Sequence, residues 1–119
     1  MLVKNMPGFK RNFLGSGFYK FDPRVNFFHA LGCSTRLSIL KALKEKDRTV
    51  NEIAALLNVD KSVSSRHLKI LRYTGIINAR KEGLNVYYTI TNDKIFKIID
   101  LVTELLKEIT EMKQESLKE

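Results

Sequence analysis

The chain has 119 residues, 44% of them hydrophobic and 29% charged, with a net charge of +8. This balance excludes an intrinsically disordered chain. The length fits one domain with a modest core, and the charge favours a polyanionic partner. The single cysteine, Cys33, excludes an internal disulfide, which suits a reducing cytosol. No apolar run reaches the ~18 residues of a membrane span. Lys4, Lys10 and Arg11 interrupt any apolar leader. A soluble cytoplasmic protein with no membrane partner is therefore expected.

Residues 1–21 hold Lys4, Lys10, Arg11 and Lys20 and no acid, with Phe9, Phe13, Phe18, Tyr19 and Phe21 interleaved among glycines. No helical or strand period emerges. The segment reads as a basic aromatic N-terminal arm. It is either a flexible leader, a leader pinned to the body by its rings, a strap across a second subunit, or an arm touching DNA phosphates or a minor groove.

Asp22-Pro23 is a helix start, an aspartate able to cap and a proline suited to the first turn. Val25, Phe27, Phe28 and Leu31 make that first helix apolar, and Gly32-Cys33 interrupts it. Ser34 or Thr35 can cap the next helix, in which Leu37, Leu40 and Leu43 recur with Ile39 beside them. Residues 44–48 form a charged connection. Thr49-Val-Asn-Glu52 matches a capping box, and Val50, Ile53, Ala54 and Leu57 stripe the helix that it opens. Asn58-Val-Asp60 is a turn with Val59 as an apolar plug and Asp60 as the expected cap of a further helix. That helix runs to about Thr74, turns Val63, Leu68 and Leu71 inward, and stops at Gly75.

Ile76 and Ile77, then Val86, Tyr88 and Ile90, alternate as strand residues do around a turn at Glu82-Gly83. Residues 92–117 form a long helix capped by Asn92. Its Ile95, Ile98, Val102, Leu105, Ile109 and Met112 are spaced 3, 4, 3, 4, 3, a heptad seam. Phe96, Ile99 and Leu106 widen that seam into two flanks. One flank can pack on the helix's own domain, and a second subunit is the natural occupant of the other.

Residues 49–90 thus read as helix, short turn, polar-faced helix, glycine stop and basic-tipped hairpin. This is the layout of a winged helix-turn-helix that reads double-stranded DNA. Charge distribution agrees. Residues 61–81 carry Lys61, Arg66, Lys69, Arg72, Arg80 and Lys81 with no acid, whereas 92–119 carry five basic and seven acidic residues. Lys61, Ser62, Ser65, Arg66 and Lys69 fall on the outward, N-terminal part of the second helix. The small hydroxyls permit close approach to a groove, Arg66 suits bidentate contact with guanine, and Lys61 suits a phosphate. Arg80, Lys81 and Asn85 at the hairpin tip suit the backbone or a minor groove. His67 reads as a half-buried histidine hydrogen-bonded within the motif, with phosphate contact as the alternative. His29 reads as core or interface. Cys33, by a helix start, reads as a small buried filler or as a redox-sensitive thiol. Phe28 joins the heptad residues as a dimer-interface residue.

For catalysis there is no glycine-rich phosphate loop, no nucleophile beside a base and no carboxylate pair in an apolar cleft. Two histidines and one cysteine are too few for a closed transition-metal site. No enzyme activity and no cofactor are expected.

Three segments together resemble one family. Ala30-Leu-Gly-Cys-Ser-Thr-Arg-Leu-Ser-Ile-Leu40 resembles the "L-x-x-x-T-R-L-x-I-L" opening of arsenic-repressor-like (ArsR, SmtB-type) winged-helix regulators. Ser64-Ser-Arg-His-Leu-Lys-Ile-Leu71 resembles their "V-S-R-H-L-x-x-L" recognition helix. Gly75-Ile-Ile, and Arg80-Lys-Glu-Gly83 through Tyr87-Tyr88, resemble their post-helix segment and wing. The likeness spans roughly residues 22–115. It implies a mostly α protein with a small β-hairpin, in the order α1-α2-α3-α4-β1-β2-α5, paired as a homodimer through first and last helices. It also implies a repressor that binds a pseudo-palindromic operator. The expected organisation is an arm over 1–21, a DNA-binding domain over 22–91 and a dimerisation helix over 92–119. Two departures stand out. The family's Cys-x-Cys metal pair corresponds to Thr49 and Asn51, and its zinc positions between paired last helices to Asn92, Lys94, Leu105 and Glu108. Metal sensing and a paired-cysteine switch are therefore unsupported. Ser64 also replaces a usually apolar residue. The rival readings are a sequence-neutral, chromatin-type DNA binder and a winged-helix module that meets an acidic protein.

Overall fold

The computed structural model of the chain describes residues 22–118. The expectations for residues 1–21 lie outside the described residues. The elements are α1 (Pro23–Leu31), α2 (Ser34–Glu45), β1 (Arg48–Thr49), α3 (Val50–Leu57), α4 (Lys61–Tyr73), β2 (Ile77–Glu82), β3 (Asn85–Ile90) and α5 (Lys94–Lys118). The protein is mostly helical with a small antiparallel sheet, the winged helix-turn-helix arrangement that the motif predicts.

Local signals set most boundaries. The Asp22 carboxylate accepts the Arg24 amide at 2.9 Å and Pro23 occupies the first turn of α1. Thr49 and Glu52 close a reciprocal capping box at the head of α3, which satisfies two amides that a helix start leaves free. Asn58 ends α3 at φ 55°, and Gly75 ends the α4 segment at φ 84°. The Asn92 side chain accepts the Lys94 amide at 2.9 Å, opening α5.

Two boundaries differ from expectation, and a third holds its place without the capping bond. Neither Ser34 nor Thr35 caps α2; Cys33 occupies the cap position and makes no side-chain cap bond. Asp60 holds the cap position of α4, again without a side-chain bond. The charged connection ends in a strand, β1, so the hairpin becomes a three-stranded sheet in the order β1-β3-β2. Arg48 pairs with Tyr88 and Thr49 with Tyr87. Two residues are too short to show a period of two, so pattern reading passes over them.

The core gathers Ala30 from α1, Ile39, Leu40 and Leu43 from α2, Ile53 from α3, Leu68 and Leu71 from α4, Ile76 and Ile77, and Ile95 from α5. Leu37, expected inward, is partly exposed. Phe96 and Ile99 pack against the core's edge, with the Lys44 ammonium 5.1 Å from the Phe96 ring centroid. Beyond residue 100 every described residue of α5 is exposed. Ser64 lies fully inside, on the inner side of α4, and its Oγ finds no hydrogen-bond partner among the described residues.

One charged side chain is drawn into this interior. Arg36 of α2 is 7% exposed. Its Nε donates to the Ala30 carbonyl at 2.7 Å and its Nη2 to the His29 carbonyl at 3.1 Å. These are end-of-helix carbonyls of α1, and that of His29 also accepts the Gly32 cap amide at 3.2 Å. The Arg36 Nη1 meets His67 Nδ1 of α4 at 3.1 Å. One guanidinium thereby ties three helices together. Arg36→Met keeps the aliphatic stem but orphans the Ala30 carbonyl and an imidazole nitrogen. It is expected to cost roughly 2–4 kcal/mol, read as a lowered urea midpoint at unchanged slope.

Candidate nucleic-acid interface

The α4 helix is two-sided by construction. Ser64, Leu68 and Leu71 are buried, whereas Lys61, Ser62, Ser65, Arg66 and Lys69 are exposed. The three serines of its first turns therefore split, with Ser62 and Ser65 on the open side and Ser64 in the core. Arg72 and Tyr73 continue the exposed side past Lys69. Sequence reasoning left both out of the site, although their spacing of three and four from Lys69 was the available signal. Without a capping side chain from Asp60, first-turn amides and the positive end of the helix dipole stand open beside Lys61 and Ser62.

His67 sits one step from Arg66 and on the opposite side. Arginine only donates, so His67 Nδ1 accepts and the ring proton lies on Nε2. Burial pushes the imidazole's pKa below its usual value, and the Arg36 and Arg66 charges push it further. The expectation of a half-buried histidine bonded within the motif describes this arrangement. His29, by contrast, is an exposed side chain whose carbonyl rather than ring serves the interior.

The hairpin projects from the body with a two-residue turn at Gly83-Leu84, one position beyond the expected one. Gly83 holds φ +63° with open space where a Cβ would be, so the backbone angle is what requires glycine. Leu84 is fully exposed at the tip; an isolated leucine after a glycine gives no sequence signal of that placement. Lys81 and Asn85 are exposed. Arg80 differs from its neighbour. Its guanidinium pairs with Asp47, bonds Glu82 through Nε at 3.2 Å and lies 5.1 Å from the Tyr87 ring centroid. It is half exposed but already partnered.

The dimer-interface residues do not stay together. Ile95 is 5% exposed and belongs to the protomer's own core, so it is removed from the open seam. The first turns of α5 are where the helix docks on its own domain, and this claims the seam's first member. Ile98, Val102, Leu105, Ile109 and Met112 remain exposed, with Leu101 and Leu106 beside them. Phe28 of α1 is 62% exposed and Val25 similarly so. Cys33 is half-buried, and the Arg36 backbone amide chiefly holds its thiol below the usual range. Among the described residues no cluster of three His, Cys, Asp or Glu side chains could hold a metal ion. No described helix is long and apolar enough to cross a membrane.

This geometry has counterparts. The family model described as "Bacterial regulatory protein, arsR family" matches residues 33–79. An uncharacterised HTH-type transcriptional regulator of Methanocaldococcus jannaschii is 41% identical over 87 residues, covering 72% of this chain and 98% of the relative. A Synechocystis protein named as a transcriptional repressor SmtB homolog is 33% identical over 84 residues, covering 71% of this chain and 64% of the relative. Among solved structures, the homodimeric winged helix-turn-helix DNA-binding domain of a possible ArsR-family regulator from Mycobacterium bovis superposes with a TM-score of 0.69. It is 28% identical and covers 79% of this chain and 87% of that one.

The shifted imidazole carries a pH signature. Above the ordinary imidazole value of about 6.5, His67 is neutral both folded and unfolded, and its contribution is fully present. As pH falls through that value toward the lower folded one, the unfolded chain takes up a proton that the folded chain refuses, and stability is lost. The urea midpoint should therefore be level above about pH 6.5 and decline below it. His67→Asn, whose amide oxygen stands where Nδ1 does and can accept from Arg36, should flatten the decline; an unchanged slope would assign it to other groups.

Proposed function

The chain belongs to the arsR family of bacterial regulatory proteins and is a sequence-specific DNA-binding transcriptional regulator; from that premise we propose that it acts as a homodimeric repressor on a pseudo-palindromic operator. The family consists of transcriptional regulators, not enzymes. The observation that carries the proposal is the division of α4. Its apolar residues are consumed by the core while Lys61, Ser62, Ser65, Arg66 and Lys69 stand clear of it. A helix presented this way fits the major groove with its first turns foremost. In this reading Arg66 reads a base, and the small hydroxyls let the backbone approach. Lys61 and the open amides hold a phosphate, with Lys69 extending the phosphate contacts along the helix. The wing adds Lys81 and Asn85 at the adjacent backbone. Repression is supported by the Synechocystis relative, which is named a transcriptional repressor homolog.

The dimer reading rests on the exposed apolar surface of α5 and α1. Ile98, Val102, Leu105, Ile109 and Met112 form a seam at heptad spacing on a helix whose second half is exposed among the described residues. Phe28 and Val25 of α1 add to that surface. So much exposed apolar area marks an association face, and the Mycobacterium bovis domain, described as homodimeric, supports a second copy as its occupant. In this division residues 22–91 bind DNA and 92–119 pair the subunits. Two-fold symmetry then sets the reading helices about 34–36 Å apart. No metal co-effector enters the reading.

Arg66→Ala is expected to cost about 1–3 kcal/mol on the cognate duplex and little on random duplex. Lys81→Ala should weaken both alike and shallow the salt dependence by about one unit of slope. Fluorescence anisotropy across a salt series reads both effects; equal losses on the two duplexes for Arg66→Ala would remove it from base reading. Leu105→Glu, at a position 53% exposed in the protomer, should leave a folded monomer by sedimentation with operator binding lost. A dimeric Leu105→Glu variant would place the subunit contact elsewhere.

A further inference from the structure

The charge on the wing is not what its sequence suggests. Residues 80–85 read as a basic tip, but folding brings Asp47, 33 positions away in the chain, onto Arg80. Glu82 takes the same guanidinium through Nε at 3.2 Å. Arg80 and Glu82 alternate with Lys81 along β2, and Arg80 stands opposite Tyr87 of β3, whose ring it overlies at 5.1 Å. Arg80 alone thus meets two carboxylates, Asp47 and Glu82, while Lys81 between Arg80 and Glu82 takes the other side of the strand. In the free protein these carboxylates offset the guanidinium charge on the wing, the element that meets the DNA backbone in the function proposed above, on which this inference rests.

We propose that Asp47, seconded by Glu82, is an intramolecular competitor for DNA phosphate at Arg80, and so sets how tightly the wing grips the duplex. Two observations carry it. The guanidinium is aimed by the sheet, through the Arg80–Tyr87 register and the ring beneath it, so it stays in place when a carboxylate leaves. The pairs are open to solvent, with side chains 49% exposed for Arg80, 35% for Asp47 and 65% for Glu82. Ion pairs of such exposure are weak, which makes them exchangeable for a phosphate, whose two free oxygens can accept from the same guanidinium. Moreover, a carboxylate left beside an approaching phosphate repels it. Asp47 therefore reduces affinity both by occupying Arg80 and by its own charge, and the first effect requires Arg80.

A double-mutant cycle separates these effects. The test measures binding of the full-length protein to cognate and random duplex by anisotropy. Asp47→Asn should tighten both by about two- to five-fold, the range that the loss of one exposed ion pair allows. In an Arg80→Gln background the same substitution should change binding little. Glu82→Gln, at the other edge of the guanidinium, should give a smaller gain in the same direction and carries the test should Asp47→Asn not fold. An equal gain with and without Arg80 would reduce Asp47 to a long-range charge and overturn the proposal. A loss of affinity in Asp47→Asn would make Asp47 a brace for the wing, which also overturns it. Lys81→Ala distinguishes the two levels. If it weakens binding while Asp47→Asn changes nothing, competition fails and the wing reading stands; if Lys81→Ala and Arg80→Gln are both silent, the wing reading itself fails.

Discussion

The buried guanidinium of Arg36 is the constraint on which the geometry of the reading helix depends. An arginine enters an interior only where its donors are satisfied, since an unpaired buried charge is costly. Here the partners are two carbonyls at the end of α1 and the Nδ1 of His67. The His29 carbonyl also accepts the Gly32 amide, but at the Ala30 carbonyl and the imidazole each side of the contact supplies what the other lacks. The bond to His67 fixes which way α4 turns. With His67 held toward α2 and Leu68 in the core, Arg66 faces outward, because each helical step turns about 100° and residues two apart point to nearly opposite sides. The orientation of the base-reading side chain is thus set from behind, by a residue on another helix. The same contact requires a neutral imidazole, in keeping with the direction in which burial and the two arginines push its titration.

Orientation of the helix is only half of the interface. The wing has its own brace, the β1 pairing that joins Arg48 and Thr49 to β3. Thr49 serves twice, pairing with Tyr87 through its backbone and capping α3 with its hydroxyl. The wing and the first helix of the motif consequently share one residue. This coupling makes the sheet and the helix-turn-helix a single rigid reader, while the distal half of α5 is left for association.

The parts legible in the sequence are those whose cause is local. The Asp22 cap, the Thr49–Glu52 box, the glycine stop at Gly75 and the Asn92 cap each involve residues within about one helical turn, and the apolar stripe of α4 follows from period alone. The resemblance to a family supplied the architecture that joins them. The parts that were not legible depend on distant pairs. Arg36 meets His67 across 31 residues and Asp47 meets Arg80 across 33, and no periodicity encodes either. Ile95 shows the same limit from another direction. The heptad pattern groups it with Ile98 and Val102, but only the docking of α5 decides that Ile95 faces its own core and the others do not. Ser64 was legible through the resemblance, as a serine at a usually apolar position apart from the outward Ser62 and Ser65, and it lies buried; the lack of a hydrogen-bond partner for its Oγ among the described residues was not legible.

The central claim is that two copies of the open face of α4, held at a two-fold spacing, read one duplex. Selection of bound sequences from a random duplex pool, performed on the full-length protein, tests it most directly. The account predicts an inverted repeat whose half-sites lie about one helical turn apart, with the strongest base preference lost in the Arg66→Ala protein. A pool that returns without consensus, or with a single half-site indifferent to Arg66, would contradict it.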